Sequence, residues 1–147
     1  MLTRYFALIL GIVYVLVGLL GFLPGVVSAP PTGAPSLAVG AGYGYLLSLF
    51  PVNVLHNLVH LLIGLLGVVS YRRFADARLF ARGLAIFYGL LAIMGLFPVL
   101  GTTFGLIPIF GHDIWLHALS ALAAAYFGWL APADETVAAT PSLSARS

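Results

Sequence analysis

Four apolar stretches alternate along this chain with segments that are polar or rich in proline and glycine. A hydrocarbon core of about 30 Å needs roughly 20 residues of helix, and the stretches predict helices near residues 2–23, 52–71, 79–100 and 111–130. Within them the polar and small residues recur at helical spacing. Asn53, His56, Asn57 and His60 fall on one face of the second helix, and Gly64 and Gly67 continue that face. Asp113, His117 and Ser120 repeat the pattern on the fourth, followed by Ala121 and Ala124. The first helix offers Gly11, Tyr14, Gly18 and Gly21 on one stripe, and the third offers Ala85, Tyr88, Ala92 and Gly95. Small residues let membrane helices approach closely, where van der Waals packing replaces the missing hydrophobic drive. The pattern therefore predicts an all-α fold, a four-transmembrane-helix bundle occupying residues 1–131 as one domain, with a disordered polar tail over 132–147.

The connecting segments refine this expectation. From Pro24 to Phe50 the outer loop reads PGVVSAPPTGAPSLAVGAGYGYLLSLF, too rich in proline and glycine for a continuous helix in its first half. Leu37 to Phe50 is apolar but short, and is expected to lie at the interface or to re-enter as a cap over the bundle. The first helix with Val27-Ser28-Ala29 imitates a signal peptide and its cleavage site, but the run exceeds the usual apolar region, and it is expected to be retained.

The polar stripes also align under an internal repeat. A shift of 74 positions places Tyr14 on Tyr88, Gly21 on Gly95 and Pro24 on Pro98, and a shift of 57 places Pro51 on Pro108, His60 on His117 and His56 on Asp113. Duplication of a helical hairpin, with the two copies in parallel orientation about an axis along the membrane normal, accounts for both shifts.

Composition strengthens the membrane reading. Hydrophobic residues make up 62% of the 147 residues and charged ones 7%, with a mean hydropathy of +1.12, far from the roughly 25% charged residues of a soluble domain. All six basic residues are arginines, and Arg72, Arg73, Arg78 and Arg82 crowd the segment between the second and third helices, while Arg4 precedes the first. Under the positive-inside rule those ends face the cytoplasm, giving a multi-pass inner-membrane protein, N-in and C-in. Tyr5, Tyr71, Tyr126 and Trp129 then fall near the inner interface, and Tyr43, Tyr45 and Trp115 near the outer one. The charge is a topology signal rather than a nucleic-acid patch. The expected surroundings are the lipid bilayer, with another membrane protein or a second copy as candidate partners.

Ionisable groups in hydrocarbon cost on the order of 2.5 kcal/mol or more each, so His56, His60, Asp113 and His117 form the candidate site. Their immediate surroundings are expected to include Asn53, Asn57, Tyr14, Tyr88, His112 and Ser120. Asn53, just after Pro51, fits an N-cap, and His112 fits an interfacial position. The leading expectation is a binding module for a metal or small polar ligand: three imidazoles and a carboxylate suit a divalent transition metal, and the chain has no cysteine to offer a thiolate. Haem held by His60 and His117 is a second cofactor option, and a proton or quinone role a third. Against all of these stands a purely structural reading, a hydrogen-bond network stapling the second helix to the fourth in a subunit of a larger complex. No nucleophile elbow, phosphate loop or cofactor fingerprint supports an enzyme.

The run LFPVNVLHNLVHLLIGLLGVVS, with Pro51-Val52-Asn53 and His56-Asn57-x-x-His60-Leu61, resembles the hallmark of domain-of-unknown-function family 4383, small bacterial membrane proteins of four helices. The resemblance extends over the four expected helices, and a more distant similarity links them to DoxX-type four-helix membrane proteins. It implies the fold, the membrane location and a bacterial source. The family carries no established activity, so the resemblance implies no catalytic role for any residue.

Overall fold

A computed structural model of the chain describes residues 1–133; the tail expected over 132–147 thus lies almost wholly outside the described residues. Helix α1 spans Leu2–Leu20, α2 Val54–Ser70, α3 Phe74–Gly95 and α4 His112–Ala125, the last extended by a π turn over Tyr126–Leu130. The mostly helical fold matches expectation. Two of the helices, α1 and α3, are long and apolar enough to cross a membrane.

The helix ends differ from the hydrophobic pattern for local reasons. Helix α1 stops at Leu20, three residues early, because Gly21 and Pro24 follow and proline cannot continue a helix. Helix α2 begins at Val54 because Pro51 and Val52 belong to a strand and Asn53, in an extended conformation, caps the helix. Helix α3 begins at Phe74, five residues before the apolar run: Arg73 is the extended flanking residue and Asp76 lies in the first turn, where the helix dipole favours an acid.

Arg78 consequently sits on helix α3 rather than in a loop, one turn before Arg82. Each donates from Nε to the carbonyl of Gly128, at 3.0 and 2.8 Å, in the π turn that ends α4. Unpaired carbonyls at a helix C-terminus carry partial negative charge, and cations placed there satisfy it. Arg4 does similar work, donating to the Tyr71 carbonyl at 2.8 Å where α2 ends.

The connection between α1 and α2 is not purely irregular. Val27–Ser28, Gly44–Leu46 and Phe50–Val52 form strands β1, β2 and β3 of an antiparallel sheet in the order β1-β2-β3, with Tyr45 opposite Pro51. Pro51 lies on an edge strand, where its missing N–H costs no ladder bond. The sheet satisfies backbone groups that an apolar, glycine-rich segment would otherwise leave open.

Helices α1 and α2 meet backbone to backbone. A Cβ added at Gly11 would stand 2.7 Å from the Gly64 carbonyl oxygen, one at Gly18 2.9 Å from that of Asn57, and one at Gly67 2.8 Å from that of Ala7. Gly95 is equally tight, against Ile109 in the connection that follows α3. Ala92 departs from expectation: it is half-buried and lines an open groove between α3 and α4 instead of a packed contact. The buried stripes otherwise match the sequence, with Thr3, Ala7, Gly11, Tyr14 and Gly18 inside on α1 and His56, Asn57, His60, Gly64 and Gly67 inside on α2.

Large apolar side chains point outward instead. Ile9, Leu16, Leu62, Leu65, Ile86 and Leu122 are among many that are more than half exposed, while much of the interior is small or polar. Gly18→Leu should lower thermal stability in detergent by about 1–3 kcal/mol or more, because it forces the α1 and α2 backbones apart. Leu19→Ile, on the exposed face, should leave the melting temperature unchanged, and thermal unfolding of both variants checks the assignment of faces.

Candidate ligand site

The Asn53 side chain organises the end of the bundle where α2 begins. Its carboxamide oxygen accepts from the His56 backbone N–H at 2.9 Å, the expected cap, and its Nδ2 donates to Val39 O at 2.9 Å and Leu106 O at 2.7 Å. One buried amide therefore joins α2 to the α1–α2 and α3–α4 connections. Asn57 plays the matching part for α1, donating from Nδ2 to the Gly21 carbonyl at 2.8 Å where that helix ends. The two connections also pair directly, with Ala38 N and Val39 N donating to Gly105 O at 2.8 and 3.2 Å.

Beneath this knot, five aromatic side chains from all four helices close into a ring. Centroids lie 5.5 Å apart between Tyr14 and His60, 4.6 Å between His60 and His56, and 6.4 Å between His56 and His117. His117 and Tyr88 then stand 4.9 Å apart, and Tyr88 and Tyr14 5.5 Å. All five are buried. Helical spacing of four stacks His56 on His60, and the facing positions on α1, α3 and α4 complete the circuit.

Asp113 lies in the first turn of α4, buried, with Oδ2 4.0 Å from His56 Nδ1. That separation is beyond hydrogen-bond reach. His56 Nδ1 instead contacts the Pro51 carbonyl at 3.1 Å; because a carbonyl only accepts, Nδ1 carries the proton and the neutral ring keeps Nε2 as its acceptor. Among the described residues, His60 Nδ1, His117 Nδ1, Asp113 Oδ2, Asn57 Oδ1 and Tyr14 Oη are buried without any hydrogen-bond partner. Ser120 is half-buried beside the Tyr14 hydroxyl, but not in hydrogen-bonding geometry. His112 stands apart from the cluster: it is exposed and accepts at Nδ1 from Trp115 Nε1 at 3.0 Å.

The ring borders a cavity of about 280 Å³. Its surface is almost wholly apolar: the rings of His56, His60, Tyr88 and His117 line one side, and Val59, Phe87 and Leu91 are among the rest of its lining. Thr103, Leu106, Ile107 and Ile109 close it from the connection between α3 and α4. Those loop residues were not legible as site residues. Thr103 gives the loop its shape by accepting from Ile107 N at 2.7 Å and donating to Ile107 O at 2.9 Å, and a pair of threonines in an apolar loop carries no such signal in sequence.

The expectation of a metal is not met by this geometry. Among the described residues no three His, Asp or Glu side chains are grouped so as to hold an ion. The reason is packing: Tyr14 and Tyr88 stand against His60 and His117, and the Nδ1 of His56 is engaged by Pro51. Haem between His60 and His117 meets the same obstacle, since Tyr14 covers the His60 ring at 5.5 Å and Tyr88 the His117 ring at 4.9 Å.

The fold and the site together define a class: a small four-helix bundle, apolar outside, with a histidine-lined cavity near one end. The chain belongs to the family described as Domain of unknown function (DUF4383), whose model matches residues 4–130. No curated protein and no solved structure matches the chain, so the DoxX-type similarity gains no support.

Asn53→Ala should destabilise the protein by about 2–4 kcal/mol, the sum of a lost cap and two buried carbonyls left without a donor. Chemical or thermal unfolding in detergent measures this, and equal loss in Asn53→Asp is expected for the part that depends on Nδ2.

Proposed function

We propose that this chain crosses the bacterial cytoplasmic membrane four times and serves as a binding module for a small amphipathic molecule held in the outer half of the bundle. The exposed apolar faces of all four helices support the membrane reading: only 28% and 22% of the most apolar windows of α1 and α3 are buried. A core helix of a soluble protein is mostly covered. Arg4, Arg72, Arg73, Arg78 and Arg82 belong to the end that carries Tyr5, Tyr71, Tyr126 and Trp129, which favours a cytoplasmic position for that end. The polar cluster then lies toward the opposite, outer face. The meeting of Tyr14 with Tyr88, and of His56 with Asp113, supports a duplicated hairpin, since positions related by a two-fold axis touch where they approach it.

The open hydrogen-bonding capacity around the cavity carries the ligand reading. Buried polar groups in native proteins are nearly always paired, and a network retained only to staple helices closes its own bonds. Here Asn53 staples with both ends of its amide bonded and Asn57 staples through Nδ2 alone, while His60 and His117, which line the cavity, each keep Nδ1 open. A cavity near the roughly 300 Å³ lower end of small-molecule sites, apolar on one side and imidazole-lined on the other, suits a ligand with a compact hydrogen-bonding head.

Topology is tested by single cysteines. Ser36→Cys should react with an impermeant thiol reagent in intact cells and Ala75→Cys should not; the reverse pattern moves the cavity to the cytoplasmic half. The site is tested by His117→Leu. Because leucine removes an unpaired buried group, the melting temperature should change by no more than about 3 °C, roughly 1 kcal/mol for a chain of this size. An organic extract of the purified wild type should contain a small molecule that the extract of His117→Leu lacks. A large loss of stability with identical extracts would establish the staple instead.

A further inference from the structure

A second apolar space adjoins the histidine cavity. A groove of about 430 Å³ runs between α2 and α3, lined by residues that include Leu62, Ile63, Leu66, Phe80 and Gly83. Val59 and Phe87 line both the groove and the cavity, so the two spaces share a wall. Along α2 the groove residues follow Val59 by about one and two turns, away from the capped end. The combined space has an imidazole-lined head region at one end and an apolar trough leading from it.

The chemistry of the head region narrows the occupant. Lysine is absent from the chain, and the arginines of the described residues sit at the opposite end, where Arg4, Arg78 and Arg82 are bonded to helix-terminal carbonyls. A phosphate or other anionic head would therefore enter a buried site without a countercharge, at a heavy desolvation cost. The walls are instead aromatic: His56, His60, Tyr88 and His117 present ring faces and edges at contact spacing. His60 and His117 each bury an unpaired Nδ1. A neutral planar ring carrying carbonyl or hydroxyl groups can stack on those faces and, with a turn of the imidazoles, give the closed-off Nδ1 atoms the partner they lack, while a hydrocarbon chain attached to it lies in the trough.

We infer that the cavity binds the head of a tailed quinone or quinol, with its chain in the groove between α2 and α3. This rests on the ligand cavity proposed above and adds the chemical class and the route by which the molecule enters from the lipid. Gly83 gives the means to separate head from tail. It lines only the groove, is exposed, and has open space where a Cβ would stand, so a larger side chain there fills the trough without disturbing helix packing.

The test uses the full chain in detergent micelles and thermal-shift titration with three probes: a methylated benzoquinone without a chain, the same ring bearing a decyl chain, and decanol. The tailed ring should bind about tenfold or more tighter than the bare ring, since burial of several methylenes more than supplies that factor. Decanol should give no comparable shift. Gly83→Phe should reduce the tailed ring to the affinity of the bare ring, and His117→Leu should weaken both. Equal binding of bare and tailed rings would overturn the groove assignment, and decanol binding as tightly as the tailed ring would overturn the quinone head. If neither ring binds while another molecule is extracted from the wild type, the quinone class fails and the ligand cavity stands. If nothing is extracted and nothing binds, both fail.

Discussion

The histidine end of this bundle depends on one buried carboxamide. Asn53 caps α2 with its oxygen and, with its nitrogen, holds Val39 of the α1–α2 connection and Leu106 of the α3–α4 connection. Leu106 and its neighbours close the cavity, and Pro51, two residues before Asn53, fixes the ring of His56. Remove that amide and the loops lose their common anchor, the helix start frays, and the histidines lose the wall that keeps them dry. The sequence Pro-Val-Asn followed by His-Asn reads, in this light, as strand, cap, oriented imidazole and a second amide that finishes α1.

A bundle with leucine and isoleucine outside cannot be held together by burying them. The contacts that remain are those between small residues, and the α1–α2 interface shows how little slack they leave, with glycine backbones so close that an added methyl would overlap a carbonyl. Close approach of the backbones at these glycines also explains where space opens. Helices α2 and α3 lack a matching glycine seam, Gly83 faces open space, and the trough lies there. Tight packing on one side and an apolar opening on another are two outcomes of the same distribution of small residues.

Much of this was legible in the chain. Helical periodicity placed His56, Asn57, His60, Gly64 and Gly67 on one face, and that face is buried. Hydropathy stops short where charge and backbone chemistry compete with it: Arg78 looks like a loop residue until a helix C-terminus is found for it to cap, and nothing in Leu37 to Phe50 announces that part of its backbone pairs into strands. The metal expectation failed for a different reason. Spacing reports which side chains share a face, but not that Tyr14 and Tyr88 stand against the imidazoles. The roof of the cavity, from Thr103 to Ile109, was invisible because loop conformation comes from local bonds that no periodicity announces.

The central claim is that His60 and His117 keep hydrogen-bonding capacity open for a ligand while His56 is fixed by its own backbone. Nitrogen NMR of histidine-labelled protein in lipid bilayers, recorded before and after exhaustive extraction of small lipophilic molecules, measures this directly. The account predicts that the resonances of His60 and His117 move on extraction and that His56 keeps its Nδ1–H signature throughout. Three histidines whose resonances stay fixed under both conditions would show a closed structural network and contradict it.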